Sequence, residues 1–190
     1  MLSRAALVPL ACALLSGCAS GTAYFAPTQT QVRRASGEVV ASRYMVPVEA
    51  GHANLLLHTE ARAFKDSIGE GIDLPTLQVR YWIHNDSAVR LELRLSEFTA
   101  VDDSGRELRF SRGVYRRELT TVVICQPRTR ATADVYFHLP PGYDVKEPKG
   151  MTIQWSLRVG DGEYRQTTAF ERSSGLSFHD PFLQLPLRGG

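Results

Sequence analysis

The sequence lacks an apolar run long enough to span a membrane as a helix. Its longest such run, Ala5 to Leu15, falls well short of the roughly 20 residues that a transmembrane helix needs. Arg4 precedes the run, and the small residues Ser16 and Gly17 follow it, which is the arrangement of a secretory signal peptide. We therefore expect residues 1–17 to be a signal peptide that anchors nothing by itself.

The sequence also lacks a large excess of either charge. It has 22 lysines and arginines against 20 aspartates and glutamates, a formal net charge of +2 at pH 7. This balance gives no reason to expect nucleic acid or another polyanion as a partner. Lysine is scarce, since Lys65, Lys146 and Lys149 are the only ones. Arginine suits bidentate contacts to carboxylate or phosphate groups, although biased codon usage explains the same ratio.

Cys18 directly follows the predicted signal peptide. The stretch Leu15-Ser16-Gly17-Cys18 resembles the bacterial lipobox, in which the cysteine is acylated on sulfur and becomes the first residue of the mature chain. The resemblance implies that Cys18 carries acyl chains such as palmitate, which anchor the protein at about 0.8 kcal/mol per buried CH₂. An aspartate after the cysteine favours the inner membrane. Ala19 stands there, which implies the periplasmic face of the outer membrane.

Cysteine is too scarce for a disulfide framework. Of the three cysteines, Cys12 would leave with the signal peptide and Cys18 would carry lipid, so Cys125 alone would remain with a free thiol. A disulfide within the mature domain is then excluded. Hydrophobic burial must stabilise the fold.

Apolar and polar residues alternate with a period of two over most of the chain. In residues 77–84 the predicted inward face is Leu77, Val79, Tyr81 and Ile83, and the other face is Gln78, Arg80, Trp82 and His84. The pattern recurs in residues 89–95, 131–139 and 151–159, with turn residues between them. No segment shows a helical stripe, so we expect an all-β protein.

The predicted strands make one domain over residues 44–172. Seven or eight antiparallel strands with turns at short intervals are typical of an immunoglobulin-like two-sheet β-sandwich, which is the fold we predict; the alternative is a closed barrel. Residues 18–43, which start with the lipidated cysteine, would form a flexible tether. Residues 173–190 would form an apolar tail that either covers an open sheet edge or docks onto a partner.

In the stretch from Ile83 to Leu108, one strand ends in Asn85-x-Ser87, a second strand leads to Phe98, and a turn from Asp102 to Gly105 follows. This arrangement resembles the telokin-like, immunoglobulin-type domains found in many bacterial lipoproteins, and residues 131–140 resemble the penultimate strand of that family. The resemblance implies an envelope-facing binding or spacer domain without assigned chemistry. The glycine that the family has before that strand is absent from residues 126–130.

The sequence offers little for catalysis. Cys125 lies in a β-branched run, where we expect a buried and unreactive thiol. Ser177, His179 and Asp180 are close in sequence, but nothing in a proline-flanked tail predicts that they converge as a triad. We therefore predict a protein that is not an enzyme and has no catalytic residues.

Metal binding has equally weak support. His84 and His138 lie on the polar faces of two predicted strands, and they could share an ion only if those strands were adjacent. Neither has a second ligand at a typical spacing. We expect both to face solvent, and we expect no metal and no cofactor.

One group of residues suits binding. Five arginines crowd the sequence between two predicted strands: Arg106, Arg109, Arg112, Arg116 and Arg117. They form either a candidate binding loop for phosphate or carboxylate groups of the envelope or a solvated loop with local ion pairs. We predict a lipid-anchored, non-catalytic module that binds another envelope component, most plausibly a protein, through this loop or a sheet edge. The alternatives are an accessory lipoprotein of a secretion or surface-assembly complex and a metal protein or enzyme.

Overall fold

The computed structural model describes residues 22–28, 32–33, 39–48, 51–67 and 73–174. This part of the chain forms thirteen strands and one 3₁₀ helix, Leu95–Glu97. The strands are β1 (Ala23–Pro27), β2 (Val32–Arg33), β3 (Val39–Val48), β4 (Gly51–Ser67), β5 (Asp73–Asn85), β6 (Leu91–Arg94), β7 (Thr99–Asp102), β8 (Glu107–Tyr115), β9 (Glu118–Leu119), β10 (Val122–Cys125), β11 (Arg130–His138), β12 (Gly150–Val159) and β13 (Gly162–Ser173). The all-β prediction is confirmed. Within these ranges no helix has the length and apolarity to cross a bilayer.

The predicted immunoglobulin-like two-sheet sandwich is wrong, because the sheet closes on itself. Eight strands form an antiparallel ring in the order β1–β13–β12–β7–β8–β11–β5–β4, and β4 pairs again with β1. A sandwich would leave edge strands on two separate sheets, whereas closure removes the edges around this ring. The fold is a closed barrel.

Strand β1 closes the barrel, and it comes from the predicted tether. Tyr24 pairs with Ser173 of β13 on one side and with Arg62 of β4 on the other. Phe25 is fully buried in the core. The prediction of a flexible tether over residues 18–43 is therefore wrong for residues 23–27, and also for β2 and for the start of β3 at residues 39–43. The apolar pattern of residues 23–27 is too brief to identify a strand without its two partners.

The barrel interior holds the residues that the alternation places inward. Leu77, Val79, Tyr81 and Ile83 of β5 have no exposed surface. Tyr81 packs edge-on against Phe98 and Trp155, with ring centroids 5.4 and 6.5 Å apart. Such aromatic pairs add to the burial of apolar surface, which stabilises the fold in place of a disulfide.

The outer face of β5 departs from the simple alternating pattern. Gln78 is fully buried, and Trp82 and His84 are only 3% and 5% exposed. The prediction that His84 faces solvent is therefore wrong. On the neighbouring strand β11, Tyr136 lies at an outward position of the alternation and is partly exposed.

The barrel has two distinct ends, because neighbouring strands in the ring run in opposite directions. At the end that we call the lower end, β1, β5 and β8 begin and β11 and β13 finish. At the upper end, β8 finishes at Tyr115 and β11 begins at Arg130. The chain enters β1 at the lower end, so the turn after β8 lies at the opposite end of the barrel.

Candidate functional site

The five arginines of the predicted binding loop do not lie together. Arg106 precedes β8 at the lower end, and Arg116 and Arg117 follow β8 at the upper end. The nine residues of β8 separate these groups by about 30 Å, at about 3.3 Å per residue. The prediction of one arginine-rich binding loop is therefore wrong, because the intervening residues form an extended strand.

Arg106 stabilises the lower turn. Its Nε donates to Asp102 Oδ2 at 2.8 Å, and its guanidinium lies 4.4 Å from the ring centroid of Tyr143. Burial disfavours the Asp102 carboxylate, but hydrogen bonds from Ser104, Arg106 and Tyr143 outweigh that penalty and hold its pKa well below the usual range. Burial and the bond to Asp102 raise the pKa of Tyr143. These contacts fix the turn.

Arg112 and Arg109 lie on the side of the barrel. Arg112 donates to Asp66 Oδ2 at 2.8 Å and stacks over Tyr136 at 4.2 Å from the ring centroid. Arg109 is exposed in the lower half of β8, where it pairs in register with His138. Neither side chain reaches the turn that carries Arg116 and Arg117.

Arg116 and Arg117 form the two-residue loop between β8 and β9. Tyr115 pairs with Glu118, and the two arginines between them have φ values of 53° and 70°. A two-residue hairpin of this kind needs positive φ at both central positions, which asparagine and glycine adopt most readily. An L-residue with a long side chain pays about 1 to 2 kcal/mol for each such conformation. Both arginine side chains are exposed.

A cleft of about 340 Å³ lies beside this turn at the upper end. Its walls come from the end of β8, from the turn and from the first half of β11: Val114, Tyr115, Arg116, Arg117, Arg130, Ala131, Thr132 and Asp134. We call it the upper cleft. It brings Arg130 to the same surface as the two arginines of the turn.

The carboxylate in the upper cleft is already paired. Arg80 donates from Nε to Asp134 Oδ1 at 2.7 Å and from Nη2 to Oδ2 at 2.8 Å. This bidentate bond raises the pKa of Arg80, while burial opposes the effect. Asp134 is thus neutralised by a partner outside the cleft, and Arg116 and Arg117 present exposed guanidinium groups beside it.

Sequence reasoning missed Arg130, Tyr115 and Asp134 as parts of this site. The pairing of Ala133 with Tyr115 brings the start of β11 beside the end of β8. No local sequence pattern predicts that β11 pairs with β8. The usable signal was the position of Arg130 directly after a predicted turn, which placed it at a strand end.

The two histidines do not form a metal site. Strands β5 and β11 are adjacent, but His84 pairs with Arg130 at one end of the ladder and His138 pairs with Thr76 at the other. The eight steps between these pairs correspond to about 27 Å. Among the described residues there is no group of three or more His, Cys, Asp or Glu side chains that could hold a metal ion.

Cys125 is a buried free thiol, 1% exposed. Burial raises the pKa of the thiol, although hydrogen bonding to Thr129 partly opposes this shift. A thiol that stays protonated is a poor nucleophile and a poor metal ligand. Its position agrees with the expectation of a structural cysteine.

Asn85 joins the loops of the upper end. Its amide nitrogen donates to the carbonyl oxygens of Val89, Cys125 and Gln126 at 2.8 to 3.1 Å. Its carbonyl oxygen accepts from the backbone N–H and the hydroxyl of Ser87. The Asn-x-Ser pair on which the family resemblance partly rests is thus a buried structural network, with Asn85 fully buried.

A second turn at the upper end also holds an arginine at positive φ. The backbone N–H of Thr129 donates to the carbonyl of Gln126, and Arg128 between them has a φ of 59°. With Pro127 before it, Arg128 occupies the turn position that usually takes glycine. Arg128 Nη1 donates to the backbone carbonyl and to Oδ1 of Asp86, both at 3.2 Å.

Several predicted features lie outside the described residues. They are the signal peptide over residues 1–17, the lipidation site Cys18, and Ser177, His179 and Asp180 in the tail.

Comparisons with known proteins identify no family. Searches of protein-family models and of curated proteins found no match. Among solved structures, the X-ray structure of the structural-genomics target SoR45 is similar with a TM-score of 0.38 and 9% identity, over 66% of this chain and 91% of that one. The GAE domain of GGA2p from Saccharomyces cerevisiae is similar with a TM-score of 0.32 and 11% identity, over 68% and 96%. Neither similarity reaches a TM-score of 0.5, and neither indicates a function.

Proposed function

We propose that this protein is a lipid-anchored, non-catalytic binding module of the bacterial cell envelope, held at the periplasmic face of the outer membrane. The observation that carries the proposal is the stretch Leu15-Ser16-Gly17-Cys18 after a short apolar run, which resembles a lipobox. Acyl chains on Cys18 would be its contact with the membrane. Another envelope protein would be its partner, and neither nucleic acid nor a cofactor is required.

The course of the chain supports this arrangement. Strand β1 begins at Ala23, only five residues after Cys18, so a fully extended link would span at most about 18 Å. The lower end of the barrel would therefore stay close to the lipid surface. The upper end, with Arg116 and Arg117, would face away from that surface, where a partner can reach it.

The non-catalytic part of the proposal rests on the roles of the polar groups. The buried thiol of Cys125 has a raised pKa, and the buried carboxylate of Asp102 accepts bonds that stabilise a turn. Both groups serve the fold, and neither lines the upper cleft.

The first test is membrane fractionation of the full-length protein and its Cys18→Ala variant. We expect most of the wild-type protein in the outer-membrane fraction, and a Cys18→Ala variant that is no longer acylated on mass spectrometry and no longer sediments there. Cys12→Ala is the matched control, because it removes a cysteine from the same leader and should leave fractionation unchanged. Outer-membrane association of unacylated Cys18→Ala protein would refute the anchor.

The partner is tested by affinity purification of the tagged protein from gently cross-linked envelopes. A specific protein that is recovered with the wild type and lost with Cys18→Ala would support a tethered binding module. Stoichiometric recovery of a large complex would instead favour an accessory lipoprotein of a secretion or surface-assembly machine. Recovery of only abundant lipoproteins in both samples would contradict a protein partner.

A further inference from the structure

Arg116 and Arg117 occupy turn positions that disfavour arginine, and their side chains make few contacts with the described part of the chain. Within the described residues, Arg117 makes no ion pair and no side-chain hydrogen bond. The contact of Arg116 is with its neighbour Tyr115, with the guanidinium 5.1 Å from the ring centroid. An Asn-Gly pair would close the same hairpin with less strain. Strained residues with unused side chains are a signal of function rather than of stability.

The charges around these side chains favour an anionic ligand. Arg116, Arg117 and Arg130 all line the upper cleft, and its one carboxylate, Asp134, is bound to Arg80. Glu118 is next to the turn in sequence but does not line the cleft. The two exposed guanidinium groups of Arg116 and Arg117, beside a carboxylate that is already paired, match a group with two negative charges better than they match a single carboxylate.

We infer that the upper cleft binds a phosphate group carried by a larger molecule, with Arg116, Arg117 and Arg130 as the ligands of the phosphate. A guanidinium presents paired N–H donors that fit phosphate oxygens, and an exposed turn admits a ligand without rearrangement of the barrel. The cleft of about 340 Å³ exceeds the size of a phosphate group alone and leaves room for an attached sugar or glycerol. The inference rests on the proposed function only for the orientation of the cleft away from the anchored end.

The test measures binding to the full-length protein in detergent micelles by isothermal titration calorimetry. The probes are inorganic phosphate, glucose 6-phosphate and a short-chain phosphatidic acid, with glucose and a short-chain diacylglycerol as their phosphate-free counterparts. Tighter binding of glucose 6-phosphate would identify a phosphorylated saccharide as the source, and tighter binding of phosphatidic acid a lipid headgroup. Equal affinity for all three would show that the phosphate alone is recognised.

The R116N/R117G variant makes the test specific, because it keeps a favourable hairpin and removes both guanidinium groups. We expect its dissociation constant for the best probe to rise at least tenfold while its melting temperature rises by about 4 °C. R90Q/R165Q is the matched control, since it removes two exposed arginines that do not line the cleft. It should bind as the wild type does.

Two results would overturn the inference. One is the absence of phosphate-dependent binding to the wild-type protein, and the other is unchanged affinity in R116N/R117G. Membrane fractionation of R116N/R117G should match the wild type, so failure of the phosphate site and failure of the proposed lipid anchor can be told apart.

Discussion

Two turns at the upper end of the barrel hold arginines in the left-handed backbone region, and they differ in what the side chains do. Arg128 has a φ of 59°, and its guanidinium donates two hydrogen bonds to Asp86. Arg116 and Arg117 have similar φ values, but their side chains are exposed beside an open cleft. At the first turn an ion pair offsets the strain, whereas at the second the described residues provide only the contact of Arg116 with the Tyr115 ring.

This difference distinguishes an arginine that supports the fold from two arginines that we infer to bind a ligand. Arg128 occupies a position that favours glycine, and its ion pair with Asp86 offsets part of the energetic cost of the positive φ. The described residues provide no comparable interaction for Arg116 and Arg117. We expect these two arginines to lower the stability of the protein, and the bound phosphate that we infer would be the compensating benefit.

Of the variants that test this comparison, Asn85→Ala should change the free energy of unfolding most. Asn85 joins the loop that carries Asp86 to the turn that carries Arg128, and it is fully buried, so the variant loses five hydrogen bonds and leaves carbonyl groups unpaired. We expect a loss of about 4 kcal/mol in the free energy of unfolding, measured by urea denaturation.

Ala88→Ser serves as the control for Asn85→Ala, because Ala88 is exposed in the same loop and a small polar replacement there should change stability by less than about 0.5 kcal/mol. A folded Asn85→Ala protein should still bind phosphate, since Asn85 does not line the upper cleft. A loss below about 1 kcal/mol in Asn85→Ala would show that the Asn85 network does not hold the Arg128 turn.

R116N/R117G should raise the free energy of unfolding, by less than Asn85→Ala lowers it. Asparagine and glycine adopt positive φ with little penalty, and no ion pair among the described residues is lost, so the free energy of unfolding should rise by about 2 kcal/mol. Urea denaturation without added phosphate measures it. A destabilised R116N/R117G variant would mean that the two arginines do support the fold, and the contrast with Arg128 would disappear.

Arg128→Gly should change the free energy of unfolding least. Glycine removes the strain but also removes the partially exposed pair with Asp86, and glycine makes the unfolded chain more flexible, so the contributions nearly cancel. We expect a change within about 0.5 kcal/mol in the same denaturation experiment. An increase as large as that of R116N/R117G would show that the bond to Asp86 contributes nothing.

The sequence predicts the strands of this fold better than it predicts their closure. Alternation identifies the inward residues of β5, from Leu77 to Ile83, because a period of two is a local property of a strand. Closure depends on the pairing of Tyr24 with Ser173 and Arg62, which lie far away along the chain. A five-residue strand carries too few residues to reveal such partners.

The candidate site shows the same limit. The sequence identifies Arg116 and Arg117 as candidate ligands but groups them with Arg106, because these residues are close in sequence. In the structure the extended strand β8 separates Arg106 from the other two. Residues 126–130 contain no glycine, and in the structure Arg128 adopts a backbone conformation that glycine favours. Arg130 joins the site only through the register of β11 with β8.

The position of β1 in the ring has a mechanical consequence. With the lipid that we propose on Cys18, any pull between the membrane and a bound partner passes through Ala23 into a strand that is hydrogen-bonded on both sides, to β13 and to β4. Such a load acts along the strand and shears several hydrogen bonds at once, instead of peeling them one by one. With the proposed lipid in place, β1 would transmit tension into the whole barrel.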